Sequence, residues 1–248
     1  MPSGMAVIWM NRQVLKMIIE ILSEDKSGSV VVERAARSIC EGIGVDADVK
    51  VRPHRGCGSF PKDPFAKPLP FASSLLELLP AKCRAYNNVY GGAEFVLVVV
   101  MDSDDKDPDE LRSELYECTH RFAPNLRSVI GLCTEEVEAW LLGDRKAVIA
   151  AYPECDIRTY NLYIQDSICG TWETLCKVIC PEDYEEIIDI GYPAVGNYKA
   201  RWAEEISQFM IPEDNISPSY KLFMNALKVA AGNPTPVSAR AGVHRRSF

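Results

Sequence analysis

Hydrophobic and polar positions change period several times along this chain, and each change marks an element. Residues 17–22 (Met-Ile-Ile-Glu-Ile-Leu) are a short apolar run that breaks at Ser23-Glu24-Asp25, which predicts a strand over 17–23. From Lys26 onward Val30, Val31, Ala35, Ile39 and Cys40 recur at helical spacing, predicting a helix of about fifteen residues. Residues 46–52 alternate apolar and polar and predict a second, more exposed strand. Arg52-Pro53-His54-Arg55-Gly56-Cys57-Gly58 reads as a basic, glycine-punctuated turn, and residues 61–70, with four prolines, read as loop. A helix is expected over 71–86. The valine-rich run 95–101 then predicts a strand buried on both faces, as a central strand of a parallel sheet must be. A helix over 108–122 carries its proline at the tolerated start, a strand follows at 128–132, and a helix is expected over 134–142.

Strands near 17–23, 47–52, 95–101 and 128–132 separated by helices give a βαβ series, hence an α/β fold with a parallel four-stranded sheet flanked by helices. After Pro153 the pattern turns wholly helical, at 170–180, 198–210 and 218–231, with loops holding Gly191-Tyr192-Pro193 and Ile216-Ser217-Pro218. The expected organisation is a core over 17–152 with a helical region over 153–231 packed on it. Residues 1–16 read as a leader and 232–248 as a disordered tail.

Composition narrows the function classes. A chain of 248 residues that is 47% hydrophobic can bury the core of one large domain. Its net charge of −8 advertises no basic field, which argues against a dedicated nucleic-acid-binding module. A nuclease stays open, because a bound metal or a partner subunit can supply local positive charge. Nine cysteines without a Cys-x-x-Cys pair speak against zinc or a disulfide framework. With no signal peptide and no apolar run near ~18 residues, the expectation is a reduced, cytoplasmic protein outside the membrane. No P-loop is present, so the chain is not its own ATPase.

The candidate chemistry lies at the strand ends. Asp102 and Asp104 follow the buried strand two residues apart, so in extended backbone they leave one face. Open α/β sheets bind ligands beyond the carboxyl ends of their strands. Glu24 with Asp25, Asp102 with Asp104, and Glu135 with Glu136 and Glu138 would all share one edge of a parallel sheet. Hard oxygen ligands converging in this way suit Mg²⁺ or Mn²⁺, with Glu24, Asp102, Asp104 and Glu136 as expected ligands. Glu136 and Glu138 would point to different faces of the expected helix, so at most one of them faces the metal.

Such a centre fits phosphoryl transfer, with Glu24, Asp102 and Asp104 as the catalytic set and Glu24 as general base or acid or as ligand to a second metal. Each cluster also has a local explanation. Glu24 and Asp25 suit a turn and cap, Asp104, Asp105 and Asp107 a helix cap, and Glu135 and Glu136 a helix first turn. His54 and Arg55 are candidate contacts to a scissile phosphate. Lys199, with Arg201 beside Trp202, is a candidate guide for a nucleic-acid backbone, or the solvated face of an amphipathic helix. Trp140 reads as core and His120 as structural, and Ser217 and Ser219 read as capping around Pro218.

Glu24 after a short apolar strand, with a downstream Asp-x-Asp after a second one, resembles the Toprim arrangement of primases, topoisomerases and overcoming-lysogenization-defect nucleases. The wider text is similar to the prokaryotic Toprim-like domain-of-unknown-function family 4276 in Ser23-Glu24-Asp25-Lys26-Ser27-Gly28, Asp102-Ser103-Asp104-Asp105 and Glu136-Val137-Glu138-Ala139-Trp140-Leu141-Leu142-Gly143-Asp144. It is also similar in Asp166-Ser167-Ile168-Cys169-Gly170-Thr171-Trp172-Glu173, Lys199-Ala200-Arg201-Trp202-Ala203 and Asn215-Ile216-Ser217-Pro218-Ser219-Tyr220. The likeness spans residues 17–231. It implies a Toprim-like core, Mg²⁺-dependent cleavage of DNA or RNA, and a partner ATPase in anti-phage defence. Asp25 stands where Toprim proteins usually carry glycine.

Two other functions fit parts of the pattern. One is a non-catalytic regulatory or scaffold subunit with a degenerate metal site. The other is a haloacid-dehalogenase-type phosphatase, which expects Thr or Val where Lys106 stands and its Asp-x-Asp near the chain start. A homo-oligomer is compatible with the sequence.

Overall fold

A computed structural model describes residues 16–232. Its chain order is β1 (Met17–Ser23), α1 (Lys26–Gly42), β2 (Ala47–Pro53), α2 (Leu75–Tyr90), β3 (Phe95–Asp102), α3 (Pro108–Phe122), β4 (Arg127–Cys133), α4 (Glu138–Leu142), α5 (Arg145–Ala151), α6 (Ile157–Tyr160), α7 (Thr171–Ile179), α8 (Tyr184–Ile190), α9 (Ala194–Ser207) and α10 (Pro218–Gly232). The four strands form one all-parallel sheet in the order β2-β1-β3-β4. The expected leader and tail lie outside the described residues, except at the boundary positions 16 and 232. No described helix is long and apolar enough to cross a membrane.

The alternation of side chains along β3 divides the core into two layers. Val96, Val98 and Val100 face α1, α10 and the helical region, while Phe95, Leu97, Val99 and Met101 face α2 and α3. All seven are buried, as a strand covered on both faces requires. Burying each such side chain is worth roughly 1.5–3 kcal/mol. The helical region closes the first layer, with α9 against α1 and α10 against β4. Glu20, the one charged residue inside β1, is buried because Arg52 Nε and the Tyr86 hydroxyl each donate to its carboxylate at 2.8 Å.

Several expected boundaries move for physical reasons. The helix expected over 71–86 starts at Leu75, because Ser74 is its extended N-cap, and it runs on to Tyr90, which stacks on Phe95. The helix expected over 134–142 begins only at Glu138. Glu135 takes a left-handed backbone (φ 59°), which no α-helix accommodates, so 134–137 form a turn. The helix expected over 198–210 starts earlier, at Ala194 directly after Pro193. Three short helices, α5, α6 and α8, are additional; each has only four to seven residues, too few for a clear apolar period.

Buried polar groups fasten the helical region to the sheet. Trp140, wholly buried, donates its indole N–H to Ser219 Oγ (2.8 Å) and stacks on Phe223. Asn215 donates to the Trp140 carbonyl (2.7 Å) and accepts the Ser217 N–H (2.9 Å). Asp166 accepts the Ser217 hydroxyl and the Ser219 N–H, both at 2.8 Å.

Candidate functional site

The chain passes from β1 out to β2 and then crosses back over β1 to β3. Connections therefore leave the adjacent strands β1 and β3 in opposite directions, which opens a crevice beyond their carboxyl ends. Glu24 and Asp102 stand at that crevice. Ser23 pairs with Val100, and one residue further the Glu24 N–H donates to the Val100 carbonyl (3.2 Å). The Glu24 side chain turns back across β3, where Oε2 accepts the Asp102 N–H (3.3 Å).

Asp25 is the N-cap of α1. It is extended (φ −144°, ψ −171°), so the position needs no glycine. Its carboxylate accepts the Gly28 N–H (2.8 Å) and the Ser27 hydroxyl. The sequence reading of Asp25 as a cap residue agrees with this geometry.

Beyond β3 the loop is tied to the loop beyond β4. Asp104, left-handed at φ 48°, donates its N–H to the Glu135 carbonyl (3.0 Å), and the Glu135 N–H donates to Ser103 Oγ (2.9 Å). The Asp104 side chain is exposed and, with Glu136 and Trp172, lines a shallow acidic pocket of about 190 Å³. A larger cavity of about 360 Å³ lies at the far end of α1 beside α10, away from these acids and without comparable chemistry.

The acids after β4 divide their roles in a way the sequence does not foretell. Glu135 accepts the backbone N–H groups of Cys169 (3.1 Å), Gly170 (2.9 Å) and Thr171 (3.0 Å), together with the Thr171 hydroxyl. Burial works against its charge, but these bonds prevail and hold its carboxyl below the ordinary value. Glu136, an expected metal ligand, is committed elsewhere: it accepts the Trp172 N–H (3.0 Å) and the Lys199 ammonium (2.9 Å). Glu138 is the acid that enters the cluster. It is fully buried, and neither of its oxygens takes part in a hydrogen bond. Lys199 Nζ approaches Glu138 Oε2 to 3.2 Å, an ionic contact without hydrogen-bond alignment.

Lys199 itself corrects another expectation. It lies on the buried face of α9, 5% exposed, and cannot track a nucleic-acid backbone from there. His54 also departs from a cationic phosphate contact. Its backbone N–H donates to the Ser23 carbonyl (2.9 Å), its ring Nδ1 lies 2.8 Å from the same oxygen, and burial lowers its pKa, which disfavours the cation. Of the three expected substrate contacts, only Arg55 is exposed.

Burial and mutual repulsion dominate the electrostatics. Burial pushes the Glu24 carboxyl up to about 7, against the Asp102 N–H bond and aided by the charges of Asp104 and Asp25. Asp102 keeps some surface toward the crevice, yet burial of its carboxyl raises it well above the ordinary value, and Glu24 and Glu138 add to that. Glu138 is likewise raised to about 7 by burial, even with Lys199 beside it. Burial alone would weaken the Lys199 cation, but Glu138, Glu136 and Asp102 hold its pKa above the ordinary value. Several acids thus compete for a single lysine, which stays charged while each acid remains short of positive charge.

Among the described residues, no three His, Cys, Asp or Glu side chains stand close enough together to form a ready-made metal cage. The donor set nevertheless suits a hard divalent cation: oxygen donors only, on rotatable side chains, with negative charge that one lysine does not balance. The sequence reading set Glu138 among the converging acids but took Glu136 as the ligand, and it missed the inward Lys199; the signal for Glu138 was a carboxylate set between Val137, Ala139 and Trp140 in an otherwise apolar run. In comparisons with known proteins, no family model, no curated protein and no solved structure matches this chain.

Proposed function

We propose that this chain is a Toprim-type, divalent-metal-dependent nuclease that hydrolyses phosphodiester bonds of DNA or RNA, acting as an effector subunit with an ATPase partner in prokaryotic anti-phage defence. The observation that supports the reading is the meeting of Glu24 with the Asp102 backbone at the β1–β3 switch point, where the charge of Asp104 acts on Glu24 and that of Glu138 on Asp102. The defence setting and the ATPase partner rest on the family resemblance of the motifs.

Glu24, Asp102 and Asp104 are the residues that would hold the ion. Bound there, Mg²⁺ or Mn²⁺ would polarise the phosphate and offset the charge that develops on its oxygens. Glu24, with a carboxyl near 7 in the metal-free chain, would have to give up its proton to hold the ion. Arg55, exposed in the turn whose Gly56 N–H donates to the Glu24 carbonyl (3.1 Å), would be the contact to the substrate phosphate.

The test is cleavage of plasmid DNA and structured RNA with Mg²⁺ or Mn²⁺, comparing wild type with Asp102→Ala and Glu24→Ala, each with and without a genomic-neighbour ATPase. Cleavage lost in both variants supports the reading; cleavage that survives Asp102→Ala overturns it. A non-catalytic regulatory subunit is the second reading, and the pairing of Glu136, an expected ligand, with Lys199 favours it. It expects no cleavage under any condition while the complex with the partner still forms.

A further inference from the structure

The acids fall into two sets by their partners. Glu24, on which the charge of Asp104 acts, meets the Asp102 backbone at the ends of β1 and β3, whereas Glu136 and Glu138 share Lys199 of α9, with Glu136 also lining the Asp104 pocket. A two-metal centre would use both sets, its ions about 3.5–4 Å apart and sharing carboxylates between them. Here the second set is already engaged by a cation. Lys199 Nζ is 2.9 Å from Glu136 Oε1 and 3.2 Å from Glu138 Oε2, and the residue is 5% exposed.

On α9 this lysine shares the buried face with Val195, Trp202, Ala203 and Ile206. An ammonium in an apolar stripe is costly unless it is paired. One acid would satisfy an ordinary ion pair that merely docks a helix. Lys199 instead stands between two, with Asp102 close enough to act on it, and it leaves both Glu138 oxygens without a hydrogen bond. Its place is that of an ion among carboxylates.

We propose that Lys199 takes the position of a second divalent cation, so that the centre binds one metal ion and the lysine supplies the other positive charge. The inference rests on the metal-centre reading above and deepens it. Glu24, Asp102 and Asp104 are left for the single ion. Glu136 and Glu138 are held by Lys199, which acts as a positioning residue. A fixed ammonium cannot dissociate, so this charge does not depend on the concentration of free metal.

The experiment counts Mn²⁺ bound to the full chain at pH 8, by equilibrium dialysis and by the paramagnetic resonance of free ion. Wild type is expected to bind one Mn²⁺ per chain. Lys199→Met keeps the stem and removes the charge, and is expected to bind two. Should that variant fail to fold, Lys199→Gln, whose amide can still donate to Glu136, gives an independent answer: it too is expected to bind two. Two ions in wild type, or one in a folded Lys199→Met or Lys199→Gln, would overturn the inference while leaving the metal centre intact. No bound Mn²⁺ in wild type would instead overturn the metal-centre reading and this inference with it.

Discussion

Replacing Glu24 with glutamine should stabilise the metal-free protein in alkaline buffer and leave it nearly unchanged in acid. The glutamine keeps the shape and can still accept the Asp102 N–H through its amide oxygen, so the change is chiefly one of charge. In the fold the Glu24 carboxyl is raised from 4.5 to about 7, so the folded chain holds a proton that the unfolded chain releases within that window. Stability from this group is therefore greatest at the acid end and falls as pH climbs through the window, levelling off above it. The full shift corresponds to about 3.4 kcal/mol, of which about 2.5 kcal/mol is lost between roughly pH 5 and pH 8.5. Water reaching this incompletely buried carboxyl reduces the figure toward about 1 kcal/mol. For a chain of this size the gain at pH 8.5 is a melting-temperature increase of roughly 2–10 °C. Thermal unfolding of wild type and Glu24→Gln in chelator, at both pH values, reads it directly. An equal gain at both pH values, or a loss at pH 8.5, would refute the argument that an uncompensated buried charge sits at this strand end.

Three further outcomes follow from the same geometry. On the proposed nuclease reading, Asp102→Asn and Asp104→Asn should each lower the single-turnover cleavage rate by ~10²-fold or more while leaving the fold intact by circular dichroism. Affinity for Mn²⁺ should weaken as pH falls through about 7, because protons on Glu24 compete with the ion; titration calorimetry between roughly pH 8 and pH 6 should show a loss of about tenfold per proton displaced. Asn215→Ala should cost about 2–4 kcal/mol in denaturant unfolding, since it leaves the buried Trp140 carbonyl and Ser217 N–H without their partner.

The sheet was legible because its central strand is buried on both faces and its runs are valine- and isoleucine-rich, a pattern that local sequence states unambiguously. The acid-bearing strand ends were legible for the same reason: a parallel sheet puts them on one edge once the strands are known. Assigning the acids after β4 needed information that local periodicity lacks. Glu135 adopts a left-handed backbone and spends its carboxylate on the start of α7, and only tertiary contact reveals either fact. The turn it creates also shifts the face argument, so Glu138 and not Glu136 joins the cluster. Lys199 lies on a helix whose charge pattern reads as a solvated face, and its burial is decided by acids far back in the chain. The motif that includes Asp166 and the one that includes Asn215 prove to be fastenings between the helical region and the sheet.

The ion pairs between α9 and the acids after β4 bear on the order in which this protein can be assembled. During synthesis Glu24, Asp102 and Glu138 leave the ribosome well before Lys199 does. Until α9 arrives, the carboxyl edge of the sheet carries its repelling acids with no cation built into the chain, and hydration by open solvent is the least costly arrangement. The carboxyl edge of the nascent sheet is therefore expected to stay hydrated until α9, which carries the pairing cation, has been made.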